Sequence, residues 1–207
     1  MNIGERPLPP DAIFESPDPL FLPAPELIRW ARETFIDEDA PLHNPDHLHL
    51  TCASLGALWT NVGNGRMGKS VVGTCEMGIP MGSKWHRARH EMQLNQWFTH
   101  VPDFVLTFYA PYCREASDRE FCALVEHELY HAGQAHDQFG APRFNKKTGM
   151  PVFQMRGHDV EEFVGVVSRY GADAAHVRAF ADAAQRAPEI SGFRISQVCG
   201  TCKLRAA

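Results

Sequence analysis

No stretch of the 207 residues approaches the 18 or more consecutive apolar residues of a membrane helix, so a membrane-spanning role is not expected. Met1 to Glu15 lacks the apolar core of a signal peptide, and an intracellular location is the expectation. Excess positive charge is missing as well. The formal net charge is −5, where nucleic-acid proteins carry a basic stripe. The local trio Lys84, Arg87 and Arg89 reads as a solvated helix face, and nucleic acid is not an expected partner. There is no internal repeat and no low-complexity linker to divide the chain. Cysteines are few. Of the six, Cys52, Cys75, Cys113 and Cys122 are scattered and read as reduced core thiols. Cys199-Gly200-Thr201-Cys202 forms one C-x-x-C with no second copy. A zinc knuckle there would need Cys52, Cys75, Cys113 or His176 to complete it, and two thiols in a tail is the simpler reading.

What remains is an ordinary globular composition, 44% hydrophobic and 22% charged, long enough for one domain with a sizeable core. Residues 1–25 hold 7 of the 15 prolines and read as an extended arm. Residues 26–190 read as the catalytic-sized domain and 191–207 as a tail. Pro25 opens a helix carrying Leu27, Ile28, Trp30, Ala31 and Phe35. Residues 48–60, 70–75 and 104–109 read as strands, and 84–98 as a helix with Trp85, Ala88, Met92 and Trp97 toward the core. A helix runs from Ser117 to about Gln138, opened by the capping-box pair Ser117 and Glu120. Residues 140–152 form a loop able to gate a cleft, and helices follow over 158–170 and 172–187. Strands followed by helices predict an α+β fold, a small mainly antiparallel sheet packed on the 117–138 helix and further C-terminal helices.

That helix carries His127-Glu128-Leu129-Tyr130-His131, the pattern H-E-x-x-H. Residues four apart on a helix share a face, so both imidazoles can grip one metal ion with Glu128 beside its open position. This is the minimal set for zinc-assisted hydrolysis: two ligands and a general base. Burying three ionisable groups on an apolar helix without such a partner would be costly. Tyr130, Tyr112 and Tyr170 are candidate donors to a developing oxyanion.

A catalytic zinc usually takes a third protein ligand. His136 falls one residue short of the H-E-x-x-H-x-x-G-x-x-H register, and on a continuous helix it would point away from His127. Glu161, Glu162 and His158 share one face of the following helix, and spacing alone leaves all three open. Two further histidine groups are weaker. His86 and His90 are flanked by Arg87 and Arg89, which disfavour a cation. His43, His47 and His49 around Asp46 read as caps and turns.

Several stretches resemble the putative phage metallopeptidase family: Leu55 to Asn61, Val101-Pro102-Asp103-Phe104, Ala123 to Gln134, and Arg156 to Phe163. The resemblance covers roughly residues 45–172 and implies a zincin-like metallopeptidase carried by phages or prophages. Gly157-His158-x-x-x-x-Phe163 is also similar to the Gly-His-Gly-x-x-Phe stretch of SprT-like proteases, whose His is the third ligand. Here Asp159 replaces the second Gly and one extra residue precedes the Phe. The resemblance implies His158 as third ligand. Glu162 or Glu161 is the runner-up, or an acceptor for an imidazole N–H. The expected function is therefore zinc-dependent cleavage of a protein or peptide substrate, in the cytoplasm of a bacterial host or associated with the phage. The alternatives are a non-catalytic binding or anti-defence module on a zincin scaffold, or a structural zinc closed by a fourth ligand.

Overall fold

A computed structural model describes residues 5–66, 69–160, 167–168, 171–172 and 177–187. Its contacts divide the chain into one unit ending at Arg156 and another spanning Gly157–Arg194. Among the described residues, no helix is long and apolar enough to cross a membrane.

The first unit is built on a four-stranded sheet. In chain order the strands are β1 (Phe21–Pro23), β2 (Leu55–Thr60), β5 (Gly73–Met77) and β6 (Phe104–Tyr109), in the spatial order β1-β2-β6-β5. β1 pairs antiparallel with β2 and β5 antiparallel with β6, while β2 and β6 run parallel with Leu55 opposite Phe104. The fold is α+β with a mainly antiparallel sheet. β2 is buried at every position, as a central strand covered on both faces must be. Its Leu55, Ala57 and Trp59 join Phe104, Leu106 and Phe108 in a core closed by helices α2 (Pro25–Ala31) and α5 (Asp118–His131). On the opposite face Leu58 and Val105 pack with Leu94 of α3 (Lys84–Phe98), so helices cover both sides of the sheet.

Several elements depart from the sequence expectation. Residues 48–60 are not one strand. Pro45–Cys52 is a 3-10 helix, capped by the Asn44 side chain, with His47 and Leu50 turned inward three residues apart. Residues 70–75 belong to two strands. Lys69–Val71 (β4) folds back on Asn64–Arg66 (β3), and β5 begins after Val72. In α3 only Leu94 is fully buried; Trp85, Ala88 and Met92 point outward. α2 continues as a π-helix over Arg32–Ile36.

The proline-rich segment packs closely on the body. Ile13 of α1 (Ala12–Glu15) is fully buried. Arg6 donates to the carbonyls of Cys113 (2.8 Å) and Ala116 (2.6 Å), where α4 (Ala110–Glu115) ends, and to Asp118 of α5 (2.8 Å). Charged donors to carbonyl groups are among the stronger hydrogen bonds, so Arg6 fixes the entry of α5.

α5 starts at its predicted capping box. Ser117 Oγ accepts from the Glu120 N–H and the Glu120 carboxylate accepts from the Ser117 N–H. It ends at His131, earlier than expected. Ala132–Gln134 (β7) leaves the helix to pair with Phe153–Met155 (β8), and His49 Nε2 donates to the Ala132 carbonyl at 2.7 Å. Between β7 and β8, residues 135–152 are tightly hydrogen-bonded. Asp137 and Asn145 side chains each accept two backbone N–H groups, closing successive turns. In the second unit, helix α6 (Arg178–Gln185) is described. Residues 158–160 are not helical, while 167–168 and 171–172 are; Glu161, Glu162 and Tyr170 of the expected helix over 158–170 lie outside the described residues, as does the tail with Cys199 and Cys202.

Candidate metal centre

The site starts from the last turn of α5. Glu128 and His131 are buried and His127 is half-buried. The two imidazoles meet nearly edge to face, their Nε2 atoms 3.3 Å apart. Nitrogens bound about 2.0–2.1 Å from a tetrahedral zinc stand roughly 3.3 Å from each other, so the helix presents this pair at ligand spacing. The other ring nitrogen of His131, Nδ1, donates to the Arg156 carbonyl at 2.6 Å. That bond sets the tautomer, leaving the Nε2 lone pair for a metal. Arg156 follows β8 directly, and its own N–H donates to the His131 carbonyl at 2.9 Å. The β7–β8 hairpin thus holds His131 by side chain and backbone alike.

One nitrogen from each of His127, His131 and His158 lies within 4.8 Å of the others. Among the described residues no other group of three His, Cys, Asp or Glu side chains comes this close. His136, His86 with His90, and His43 with His47 and His49 therefore form no such cluster. His136 lies beyond the helix end, bridged to Pro142. His47 is buried and makes no hydrogen bond among the described residues. Burial and then neighbouring His49 push its pKa down to about 4. The donor chemistry of the first cluster, neutral imidazoles with one ring oriented by a carbonyl, fits zinc.

Glu128 is fully buried on the flank of α5 facing β5. A Cβ at Gly73 would stand 2.8 Å from Glu128 Oε1 and 3.1 Å from its Cγ. Gly73 therefore makes room for the carboxylate, a role glycine takes where another group approaches a strand closely. Beyond Gly73, β5 is the outermost strand of the sheet among the described residues. The Val72 carbonyl accepts from the Tyr109 N–H and the Gly78 N–H donates to Asp103. Alternation then turns the backbone groups of Gly73, Cys75 and Met77 to the outer side. Tyr130 is engaged elsewhere: its hydroxyl accepts from Asn44 (2.8 Å) and donates to Asp46 (3.3 Å).

Comparison with protein-family models gives one finding. The model described as "Putative phage metallopeptidase" matches residues 28–185. The chain belongs to this family. No curated protein and no solved structure matches it significantly. The family match supports a metal-dependent peptidase in general terms and spans α5, Gly73 and His158 alike. Gly73 and the Arg156 carbonyl did not figure in the sequence reading. An isolated glycine in a β-rich segment was the available signal for the first. A backbone acceptor leaves no sequence signal at all.

Proposed function

We propose that this phage-metallopeptidase family member is a zinc peptidase in which His127, His131 and His158 hold the ion and Glu128 is the general base. The observation that carries the reading is the imidazole pair at 3.3 Å, with His131 oriented by the Arg156 carbonyl and a third nitrogen within 4.8 Å. A bound zinc would supply a Lewis acid and lower the pKa of a coordinated water toward neutrality, with three protein donors leaving a position for it.

The chain's own groups do the rest. The Glu128 carboxylate accepts the water proton and passes it to the leaving amine. Gly73 and Leu124 pack around Glu128, so the carboxylate acts from a defined position in a dry surrounding. The outward backbone groups of Gly73 and Met77 bind an extended substrate as an added strand, which reads main chain more than side chain. Because Tyr130 is tied to Asn44 and Asp46, it is a poor donor to the oxyanion.

The test compares the zinc-loaded parent with Glu128→Gln on a denatured proteome, reading new termini by mass spectrometry. Equal zinc in both proteins and new termini from the parent alone is the expected result. Equal zinc and no termini from either would replace the peptidase with a binding module or a structural zinc.

A further inference from the structure

The segment that follows β5 carries exposed apolar side chains among cations. Gly78 to Ser83 leads from the edge strand into α3, and residues 81–89 are exposed without interruption. Met81 is 97% exposed, Trp85 82% and Met92 58%. Trp85, Arg89, Met92 and Gln96 recur at helical spacing. Leu94, the fully buried residue of α3, lies nine positions from Trp85, or ~900° of rotation, on the opposite side. The stripe therefore points straight away from the body. Lys84, Arg87 and Arg89 flank it with Glu91 as the lone acid, in a chain whose net charge is −5.

A solvated helix face has no use for a tryptophan and two methionines. Exposed aromatic and Met side chains beside cations are the composition of a contact surface. A second copy of the chain cannot use the same stripe symmetrically, since Lys84, Arg87 and Arg89 would then face their own counterparts. The position narrows the occupant. β5 begins beside Glu128 and runs four residue steps, about 13 Å, to Met77 before the chain enters this segment. A polypeptide lying along β5 is delivered onto it.

We infer that Met81, Lys84, Trp85, Arg87, Arg89 and Met92 form a substrate exosite for an acidic, apolar segment lying on the Met77 side of the scissile bond, beginning roughly four residues from it. This rests on the peptidase reading above. Trp85 and the methionines take the apolar side chains, and the cations steer and hold the acidic ones. Peptide-bond recognition along β5 is indifferent to sequence, so the exosite supplies the selectivity.

Two measurements test it. First, the zinc-loaded Glu128→Gln protein is titrated with a labelled peptide of about twelve residues alternating Glu and Leu, and with the Lys–Leu counterpart. Anisotropy should show binding of the acidic peptide alone. Affinity should fall at least ~10-fold in the K84E/R87E/R89E variant and in W85A, and also on raising salt from ~0.05 to ~0.5 M. Second, the proteome cleavage profiles of parent and K84E/R87E/R89E are compared. The parent's sites should be enriched in Asp and Glu about four to ten residues to one side, and the variant should lose that enrichment. Peptides ending three residues either side of the bond should be cut equally by both proteins. No binding, or binding untouched by charge reversal, overturns the exosite. Charge-dependent binding without the enrichment overturns its substrate role and leaves a surface for an acidic partner. Absence of Glu128-dependent termini overturns the peptidase reading, and the substrate role with it, whatever the peptide does.

Discussion

Replacing Gly73 by Ala tests whether β5 positions Glu128, the proposed base. The added methyl would lie 2.8 Å from Glu128 Oε1, 2.9 Å from Leu124 Cδ1 and 3.1 Å from Glu128 Cγ. Ordinary carbon contacts begin near 3.5 Å, so several tenths of an ångström must be found at three atoms together. Strand and helix are held by the sheet register and the core, which leaves the Glu128 side chain to move. Overpacking of this kind costs about 1–3 kcal/mol. For a chain of this size each kcal/mol lowers the melting temperature by roughly 2–4 °C. The effect on rate should be larger. Misplacing a catalytic group by about 1 Å can cost ~100-fold, and the loss should appear in kcat, because the imidazoles proposed to hold the metal are not touched. Zinc content by elemental analysis should match the parent. The assay is turnover of a peptide taken from the parent's own cleavage sites. Parent-like kcat in a folded, zinc-loaded Gly73→Ala protein would refute the placement of Glu128 against β5.

Three further outcomes follow from the same geometry. His131→Ala removes a proposed ligand and the bond to the Arg156 carbonyl, so zinc should be lost, and chelation should lower the parent's melting temperature and leave the variant's unchanged. His47 has its pKa lowered to about 4 by burial, against an unfolded value near 6.5, so below about pH 6.5 the unfolded chain binds the extra proton. Stability should therefore fall as pH drops from about 6.5 to 4, by up to ~3 kcal/mol, and urea titrations of His47→Phe should lack that slope. Arg6→Ala removes three hydrogen bonds at the entry to α5 and should lower stability by about 2–3 kcal/mol, read as an earlier urea midpoint with unchanged slope.

The parts of this protein legible in its sequence are those governed by local spacing. The α5 capping box needs only Ser117 and Glu120 three residues apart, and the shared face of His127 and His131 needs only 3.6 residues per turn. β6 and α3 were readable in extent for the same reason. Local patterns also compete: Leu48, Leu50 and Cys52 alternate as in a strand, but the Asn44 cap and Pro45 open a 3-10 helix that buries His47 and Leu50, three residues apart.

Trp85 and Met92 read as core because sequence reports hydrophobicity, not which side of a helix meets the sheet; Leu94 occupies that side instead. α5 stops at His131 because β8, which begins 22 residues on at Phe153, pairs with the chain that follows. By itself, the sequence determined the class of fold and the shared helix face of His127 and His131 with Glu128 beside them, because helical periodicity places those groups whatever surrounds them. The tertiary structure alone decided that a carbonyl from Arg156 orients His131, that Gly73 makes room for Glu128, and that Trp85 and Met92 of α3 face outward while Leu94 meets the sheet. Each of these depends on the meeting of distant segments, and no local spacing encodes it.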